Sequence, residues 1–364
     1  MSTAKDISKK LILVVGATGA QGLAVINSLL GPGADGSPSP YAVRAVTRDP
    51  RSRRAQELTA RGVQCVKGAF DDFPSMLSAF QGVYGAWVNT DGFTVGEEKE
   101  TFIGIRLFEL AKQVGTVHHY VWSSLDNALR KGNYDPEYYC EHYISKARVA
   151  DWMRSQPSIV SEDNMSWTTV TTGPYMDMLH NAKQVMFGPL NKRNDGTFVF
   201  ATPIGTGHVA MIALSDLGYF ARYSFDHRAE TSGQELEVAS DMVGWDYLVE
   251  TFRKVTGQKA EVLYLSYDEW CANFDGIDKP VANERKEGEG ATTWRENFSK
   301  WWALYRDNLI TRDMGWIRKI NPRGHTLESW MREKGYTGEL ELSLLKNFED
   351  GKGISPNWEK ISQL

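Results

Sequence analysis

Cysteine is scarce in this chain. Cys65, Cys140 and Cys271 are the only three in 364 residues, and they form no CxxC pair. That argues against a disulfide framework or a zinc site, so no metal is expected, and it suits the reducing cytosol or nucleus. Long apolar runs are missing as well. None approaches the roughly 20 residues that a membrane span needs, and the leading MSTAKDISKK has no apolar core of a secretory signal. Positive charge is not in excess: the net charge is −5, which gives no general attraction to nucleic acid or an anionic membrane. No helix-turn-helix pattern stands out, so direct DNA binding is not expected. No internal repeat is apparent. What is present is an ordinary globular composition, 41% hydrophobic and 24% charged. At about 150 residues per domain, the length allows two lobes or one large domain. Twelve tryptophans are the one surplus. Most are expected in the core, with some lining a pocket that accepts aromatic molecules.

Strand and helix patterns alternate from the start. Leu11–Val15 is a short apolar run bounded by glycine and reads as a buried strand. Gln21–Leu30 follows as a helix, with Leu23, Ile26 and Leu30 on one face. GPGADGSPSP, Gly31–Pro40, is a loop longer than the usual connection of about 2–6 residues. Further strands are predicted at Tyr41–Thr47, Val63–Lys67, Gly82–Val88, Val117–Trp122 and Trp167–Thr172. Further helices are predicted at Arg53–Arg61, Ser75–Phe80, Glu97–Val114 and Tyr138–Arg154. Parallel strands need crossovers, so the pattern predicts an α/β fold, a doubly wound parallel sheet of the extended Rossmann type. After Gly173 the alternation weakens and aromatics and helices dominate. The expected organisation is a nucleotide-binding domain over 8–172 and a smaller, partly interleaved C-terminal α+β lobe over 173–364 that binds substrate or a partner.

The chemistry begins in the turn Gly16-Ala-Thr18-Gly19-Ala20-Gln21-Gly22. Glycines here permit close backbone approach, and the free N–H groups and dipole of the following helix favour a pyrophosphate. A tight packing turn is the other reading of the same glycines. An NAD site would place an acid at the end of the second strand. Here Arg48 stands there, with Arg51, Arg53 and Arg54 behind it. A guanidinium fork matches a 2′-phosphate, so the expected cofactor is NADP(H). A solvated basic helix start, or part of a nuclear-localisation patch, would look similar. Asp71 and Asp72, in GAFDD, offer an acceptor for the adenine amino group or a helix cap. Asn89 and Thr90 end the fourth strand and should face the diphosphate or ribose, because ligands sit at the carboxyl ends of parallel strands.

GATGAQG, VTRDP, GAFDD, AWVNT and HHYVWSS, with LSDLG (Leu214–Gly218) and TLESW (Thr326–Trp330) further along, together resemble the NmrA-like family, an atypical branch of the short-chain dehydrogenases. The similarity spans roughly residues 10 to 335. It implies an extended Rossmann lobe plus a smaller C-terminal lobe with the cofactor between them. It also implies a divided function, since some members are NADP(H)-responsive regulators that bind other proteins and others are reductases. The neighbouring isoflavone-reductase-like branch reduces aromatic natural products. Short-chain dehydrogenase chemistry implies a Ser that holds the substrate oxygen, a Tyr that moves the proton, and a Lys four residues after it that binds the ribose. Ser123 and Ser124 stand where the Ser should be, with a turn cap as the other reading. Lys146 suits the ribose lysine, with a surface lysine as its alternative. Four residues before Lys146 is His142, not Tyr. His142 can itself be a general acid, with an unperturbed pKa near 6.5, and Tyr143 or Tyr139 could also reach the cleft. In TTGPYMDMLH, Pro174, Tyr175 and Met178 are expected to border the nicotinamide and substrate, or to be inter-lobe core. His118 and His119 face opposite ways on a strand and are not read as a metal pair.

Two functions fit. One is an NADPH-dependent reductase of a small aromatic carbonyl, imine or conjugated substrate. The other is a non-catalytic NADP(H) sensor that binds a protein partner and responds through differential affinity for the two redox forms. The aromatic second lobe favours the first, and the missing tyrosine favours the second.

Overall fold

The computed structural model describes residues 9–180, 186–285, 290–339 and 352–364. The domain boundary expected at residue 8 lies outside the described residues. Six strands alternate with helices: β1 (Lys10–Val15), α1 (Ala20–Leu30), β2 (Tyr41–Thr47), α2 (Arg53–Ala60), β3 (Gln64–Lys67), α3 (Phe73–Phe80), β4 (Gly85–Val88), α4 (Gly92–Val95), α5 (Glu97–Gln113), β5 (His119–Leu125), α6 (Ala128–Lys131), α7 (Glu141–Arg154) and β6 (Ser166–Thr172). They build one parallel sheet in the order β3-β2-β1-β4-β5-β6, extended beyond β6 by Glu235–Glu237 from the later part of the chain. The order reverses between β1 and β4, the switch point at which a doubly wound sheet opens a crevice.

Both faces of the sheet are covered. Ile12, Val14 and Trp87 face α1 and the helix Leu214–Asp226, while Leu13, Val15 and Trp122 face α3, α5 and α7. This two-sided burial explains the unbroken apolar run in β1. β6 is also wholly buried although its sequence is SWTTVTT. β-branched threonines suit a strand, and Thr168 and Thr171 hydrogen-bond to the Thr231 carbonyl and to Glu235. The remaining core is the second lobe, where Trp245, Trp270, Trp301, Trp302 and Trp330 pack with Phe187 and Tyr336. Most of the tryptophan surplus is therefore core, as expected. Small sheets complete this lobe: Phe198–Thr202 pairs in parallel with Ala260–Tyr264, and Val209–Met211 runs antiparallel to Asp241–Val243. Among the described residues, no helix is long and apolar enough to cross a membrane.

Three expected boundaries move for local reasons. The fourth strand begins at Gly85, because Gly82 turns the chain at φ +70°. The helix expected from Tyr138 begins at Glu141, after a 3-10 turn over Pro136–Tyr138. β5 runs on to Leu125, so Ser123 and Ser124 lie inside it, paired with Val170 and Thr171.

Candidate functional site

A cavity of about 460 Å³ runs along the carboxyl ends of the sheet strands and under the second lobe. Following the strand order, its wall passes from Asp71 after β3 to Arg48 after β2. It continues through the turn after β1 and Asn89–Asp91 after β4, to Ser123 in β5 and Gly173–Tyr175 after β6.

The turn is built for close approach. Gly16 has φ +78°, and a Cβ there would stand 2.8 Å from the Asn89 carbonyl oxygen. A Cβ on Gly22 would lie 2.6 Å from the Ala17 Cα, so only glycine lets α1 seat against the turn. Gly19 caps α1 with no side-chain hydrogen bond, and no acid stands in the first turn. The amides there keep their donors for a ligand, and Ala20 and Gln21 line the cavity beside Thr18 and Gly19. These residues fit a dinucleotide diphosphate. Arg54 braces the turn by donating to the Thr18 carbonyl at 2.8 Å. Arg53 pairs with Glu57 and Arg51 with Asp49, whereas Arg48 is exposed on the cavity wall and makes no ion pair among the described residues. Of the two aspartates, Asp71 lines the cavity and Asp72 stands at the N-cap of α3, without a side-chain capping bond.

Lys146 is 8% exposed. Its ammonium donates to the Asn89 Oδ1 at 3.0 Å and the Thr90 carbonyl at 2.9 Å, and pairs with Glu100 at 3.1 Å. Glu100 is fully buried and also accepts from the Thr90 hydroxyl at 2.6 Å and from Ser145. Lys146 is thus no surface lysine. Glu100 went unnoticed in the sequence because an acid in the first turn of a helix is ordinary; its signal was the Thr90–Glu100–Lys146 combination, which only the fold assembles.

The expected catalytic side chains separate. Ser123 faces the cavity and donates to the Gln21 Oε1 at 2.7 Å, while Gln21 Nε2 donates to the Tyr175 hydroxyl at 2.8 Å. Ser124, on the opposite face of β5, donates to the Leu125 carbonyl and does not line the cavity. The Tyr143 ring lines the cavity, but its hydroxyl is buried against that of Tyr305 at 2.7 Å, and burial pushes its pKa up. Tyr139 turns away to Glu97. Burial pushes Tyr175 up to about 12.

His142 lies in an aromatic slot, its ring 4.9 Å from Phe93 and 5.3 Å from Phe298. Burial pushes its pKa down to about 3. The Asn297 Oδ1 accepts the Glu141 N–H, so its Nδ2 is the donor to His142 Nδ1 at 2.9 Å. The imidazole is therefore neutral, with its proton on Nε2.

The second lobe supplies the facing wall. The helix Trp294–Arg306 starts with a capping box between Thr293 and Glu296. Trp294, Phe298 and Trp301 recur along one face and line the cavity. Trp294 and Phe298 stack at 5.1 Å with an interplanar angle of 3°, and Phe93 lies parallel to Trp294 at 5.4 Å. Pro174 and Met178 complete this end, with Met186 and Phe187. The stripe W-x3-F-x2-W in TTWRENFSKWWALYR was the signal that could have found this wall. Asn283 and Glu284 close the cavity from above, their N–H groups bonded to the Phe93 and Thr94 carbonyls, and Glu284 joins Asp71 on Lys99. LSDLG and TLESW lie away from the cavity: Asp216 accepts from Ser240 and His325, and Thr326 caps the helix Leu327–Lys334.

A sequence profile of the NmrA-like family matches residues 8–292. The NmrA-like family domain-containing oxidoreductase notA of Aspergillus sp. (strain MF297-2) is 38% identical over 284 residues, covering 73% of this chain and 78% of that protein. The similarly described oxidoreductase malD of Malbranchea aurantiaca is 28% identical over 271 residues, covering 71% and 77%. Among solved structures, NmrA, a negative transcriptional regulator, superposes with a TM-score of 0.67 at 19% identity in its complexes with NAD and with NADP, over 90% of this chain and 95% of that one.

Proposed function

The chain belongs to the NmrA-like family, and from that premise we propose that it is an NADP(H)-dependent reductase acting on a small aromatic substrate. One observation carries the reading: a single cavity joins the uncapped amides of α1 to the Trp294–Phe298–Trp301 face. Its relatives notA and malD are oxidoreductases by description. The reduced dinucleotide, when bound, supplies a hydride, and the protein supplies position and electrostatics. Gly16, Thr18, Gly19, Ala20, Gln21 and Gly22 would hold the diphosphate. Arg48 would take the 2′-phosphate and Asp71 the adenine amino group. Asn89, Thr90 and Lys146 would face the ribose, and Pro174 and Tyr175 the nicotinamide. Ser123 and Tyr175, tied through Gln21, are the polar groups offered to the substrate. His142 holds the aromatic wall as a neutral ring.

The other expectation, a sensor without turnover, is favoured by the want of a tyrosine four residues before Lys146, where His142 stands, but it leaves the aromatic face without a use. Calorimetry with NADPH and NADP+, followed by NADPH absorbance against aromatic aldehydes, quinones and imines, decides between them. Binding with turnover supports the reductase, and binding without any turnover favours the sensor. No heat with either nucleotide refutes both.

A further inference from the structure

Tyr175 is fixed at its backbone, its ring and its hydroxyl. The Ile212 N–H donates to the Pro174 carbonyl and the Met176 N–H donates to the Ile212 carbonyl, each at 2.9 Å, which clamps the backbone on both sides of Tyr175. The ring packs against the second-lobe core and also against the core beside α1. The phenolic oxygen accepts from Gln21 Nε2 at 2.8 Å. The direction of that bond matters. Gln21 Oε1 accepts the Ser123 proton at 2.7 Å, which sets the amide with Nε2 toward Tyr175. A phenol that accepts through its oxygen still has its own proton to give, and among the described residues none takes it. Ser123 and Gln21 are 1% and 6% exposed, so neither is free to turn to solvent.

Gln21, Ser123 and Tyr175 all line the cavity, so the phenolic proton is left for whatever occupies it. The other protic groups of this region are engaged. The Tyr143 hydroxyl meets that of Tyr305. The Lys146 ammonium is bonded to Glu100, Asn89 and Thr90. His142 is neutral, held by Asn297 and stacked on Phe298. Burial and the nearby Asp91 carboxylate, which itself accepts from Thr94, raise Tyr175 to about 12 and keep it protonated.

We propose that Tyr175 is the hydrogen-bond donor to an oxygen of the molecule in the cavity, with Gln21 and Ser123 as positioning residues that aim its proton. This rests on the reductase reading and divides the roles within it: Ser123 acts through Gln21 and does not itself hold the substrate. The tyrosine comes from the segment after β6 rather than from α7, and no lysine acidifies it. With a carbonyl acceptor the balance closes. The hydride electron pair from a reduced nicotinamide forms a C–H bond at carbon, and the nicotinamide is left oxidised. The C=O π pair moves onto oxygen, and that oxygen takes the phenolic proton. An alkoxide is a much stronger base than a phenolate, so the transfer runs downhill even from a phenol of raised pKa. The phenolate left behind keeps the Gln21 N–H and regains a proton from water when the product leaves.

The test uses the full chain and two probes of one shape, the ketone 1-indanone and the hydrocarbon indane. Binding is read by calorimetry without nucleotide, and turnover from NADPH absorbance with saturating NADPH. The ketone should bind about 3- to 10-fold tighter than indane, the worth of one neutral hydrogen bond. Tyr175→Phe should abolish that advantage and leave indane unchanged. Gln21→Glu keeps the shape but accepts from both Ser123 and Tyr175, so it should abolish the advantage with the tyrosine still present. In turnover, Tyr175→Phe should lower kcat at least about 100-fold. Ser123→Ala should lower kcat about 3- to 10-fold alone and no further in the Tyr175→Phe background, because it acts only through the tyrosine. Equal affinities for the two probes, or no binding of either, overturn the proposal. So does a ketone advantage that survives Tyr175→Phe or Gln21→Glu. Undiminished turnover in Tyr175→Phe also overturns it and leaves the reductase reading standing. A ketone advantage that vanishes in both variants, with NADPH untouched by every acceptor, sinks the reductase reading and keeps the donor assignment.

Discussion

Glu100→Gln is the most informative single change in this protein. The carboxylate is fully buried and lies 3.1 Å from the Lys146 ammonium. The amide keeps the shape and one acceptor for the hydroxyls of Thr90 and Ser145, which both bond to Glu100, so the perturbation is mainly the loss of charge. Breaking one side of a buried pair costs about 3–5 kcal/mol, because the remaining charge loses its compensation. Asn89 and the Thr90 carbonyl still solvate the ammonium, which places the loss near the lower bound, at about 3 kcal/mol. At about 2 °C per kcal/mol for a long chain, the midpoint of thermal unfolding should fall by about 6 °C. Lys146→Met alone should cost a similar amount, since it strands Glu100. The double variant should be less destabilised than the sum of the two by at least about 2 kcal/mol. Tryptophan fluorescence in urea measures all four proteins. Strictly additive losses, or a wild-type midpoint in Glu100→Gln, would show that the two charges do not support one another and that Lys146 is positioned by something else.

Three further outcomes are expected. Arg48→Ala should weaken NADP(H) about 10- to 100-fold, the worth of one or two charge-assisted hydrogen bonds, and leave NAD(H) almost unchanged in calorimetry; equal losses for both refute the 2′-phosphate assignment. Gly22→Ala sets a methyl against the Ala17 backbone and must open the turn, so cofactor affinity should fall at least about tenfold while circular dichroism stays native; undiminished binding would remove the diphosphate from this turn. His325, bonded to Asp216 and Glu333, has its pKa raised from 6.5 to about 9, chiefly by the Asp216 hydrogen bond. A raised pKa contributes stability in full below 6.5 and loses it as pH climbs toward about 9. Urea titrations across that window should show the decline in the native chain and a shallower one in His325→Gln, and matching slopes refute it.

The sheet was legible because its strands announce themselves chemically. After Lys10, β1 is an unbroken apolar run stopped by glycine, and the helix after it begins at the residues that the turn demands. The cavity wall along the strand ends came with it, since the carboxyl ends of parallel strands are positions that a sequence can name. β6 was harder, its buried face being threonine, and the seventh strand, Glu235–Glu237, is too short and too charged to stand out. The catalytic residues were the least legible. Spacing set Tyr143 beside Lys146 on the helix, but it could not reveal that Tyr305 would occupy its hydroxyl from 162 residues away. Nor could it separate Ser123 from Ser124, which depends on where β5 ends. The acidity of His142 is decided by Asn297, Phe93 and Phe298, each brought in from another element.

The same contacts tie the two halves of the site together mechanically. Asn297 holds both the first amide of α7 and the His142 ring, and Tyr305, two turns further along the same face, holds Tyr143. The helix that carries the aromatic wall is therefore bolted to the helix that carries Lys146, through Asn297, Tyr305 and Tyr143, which are nearly or fully out of solvent, and the half-buried His142. A molecule that wedges between Trp294 and Phe298 has to push against α7, and α7 cannot yield without disturbing the Lys146–Glu100 pair beside Asn89 and Thr90. Packed interiors transmit such displacements because they have no free volume in which to absorb them. Occupancy of the aromatic end should then be felt by the nucleotide without any dedicated hinge. Either proposed role, reductase or redox-state sensor, would need this linkage.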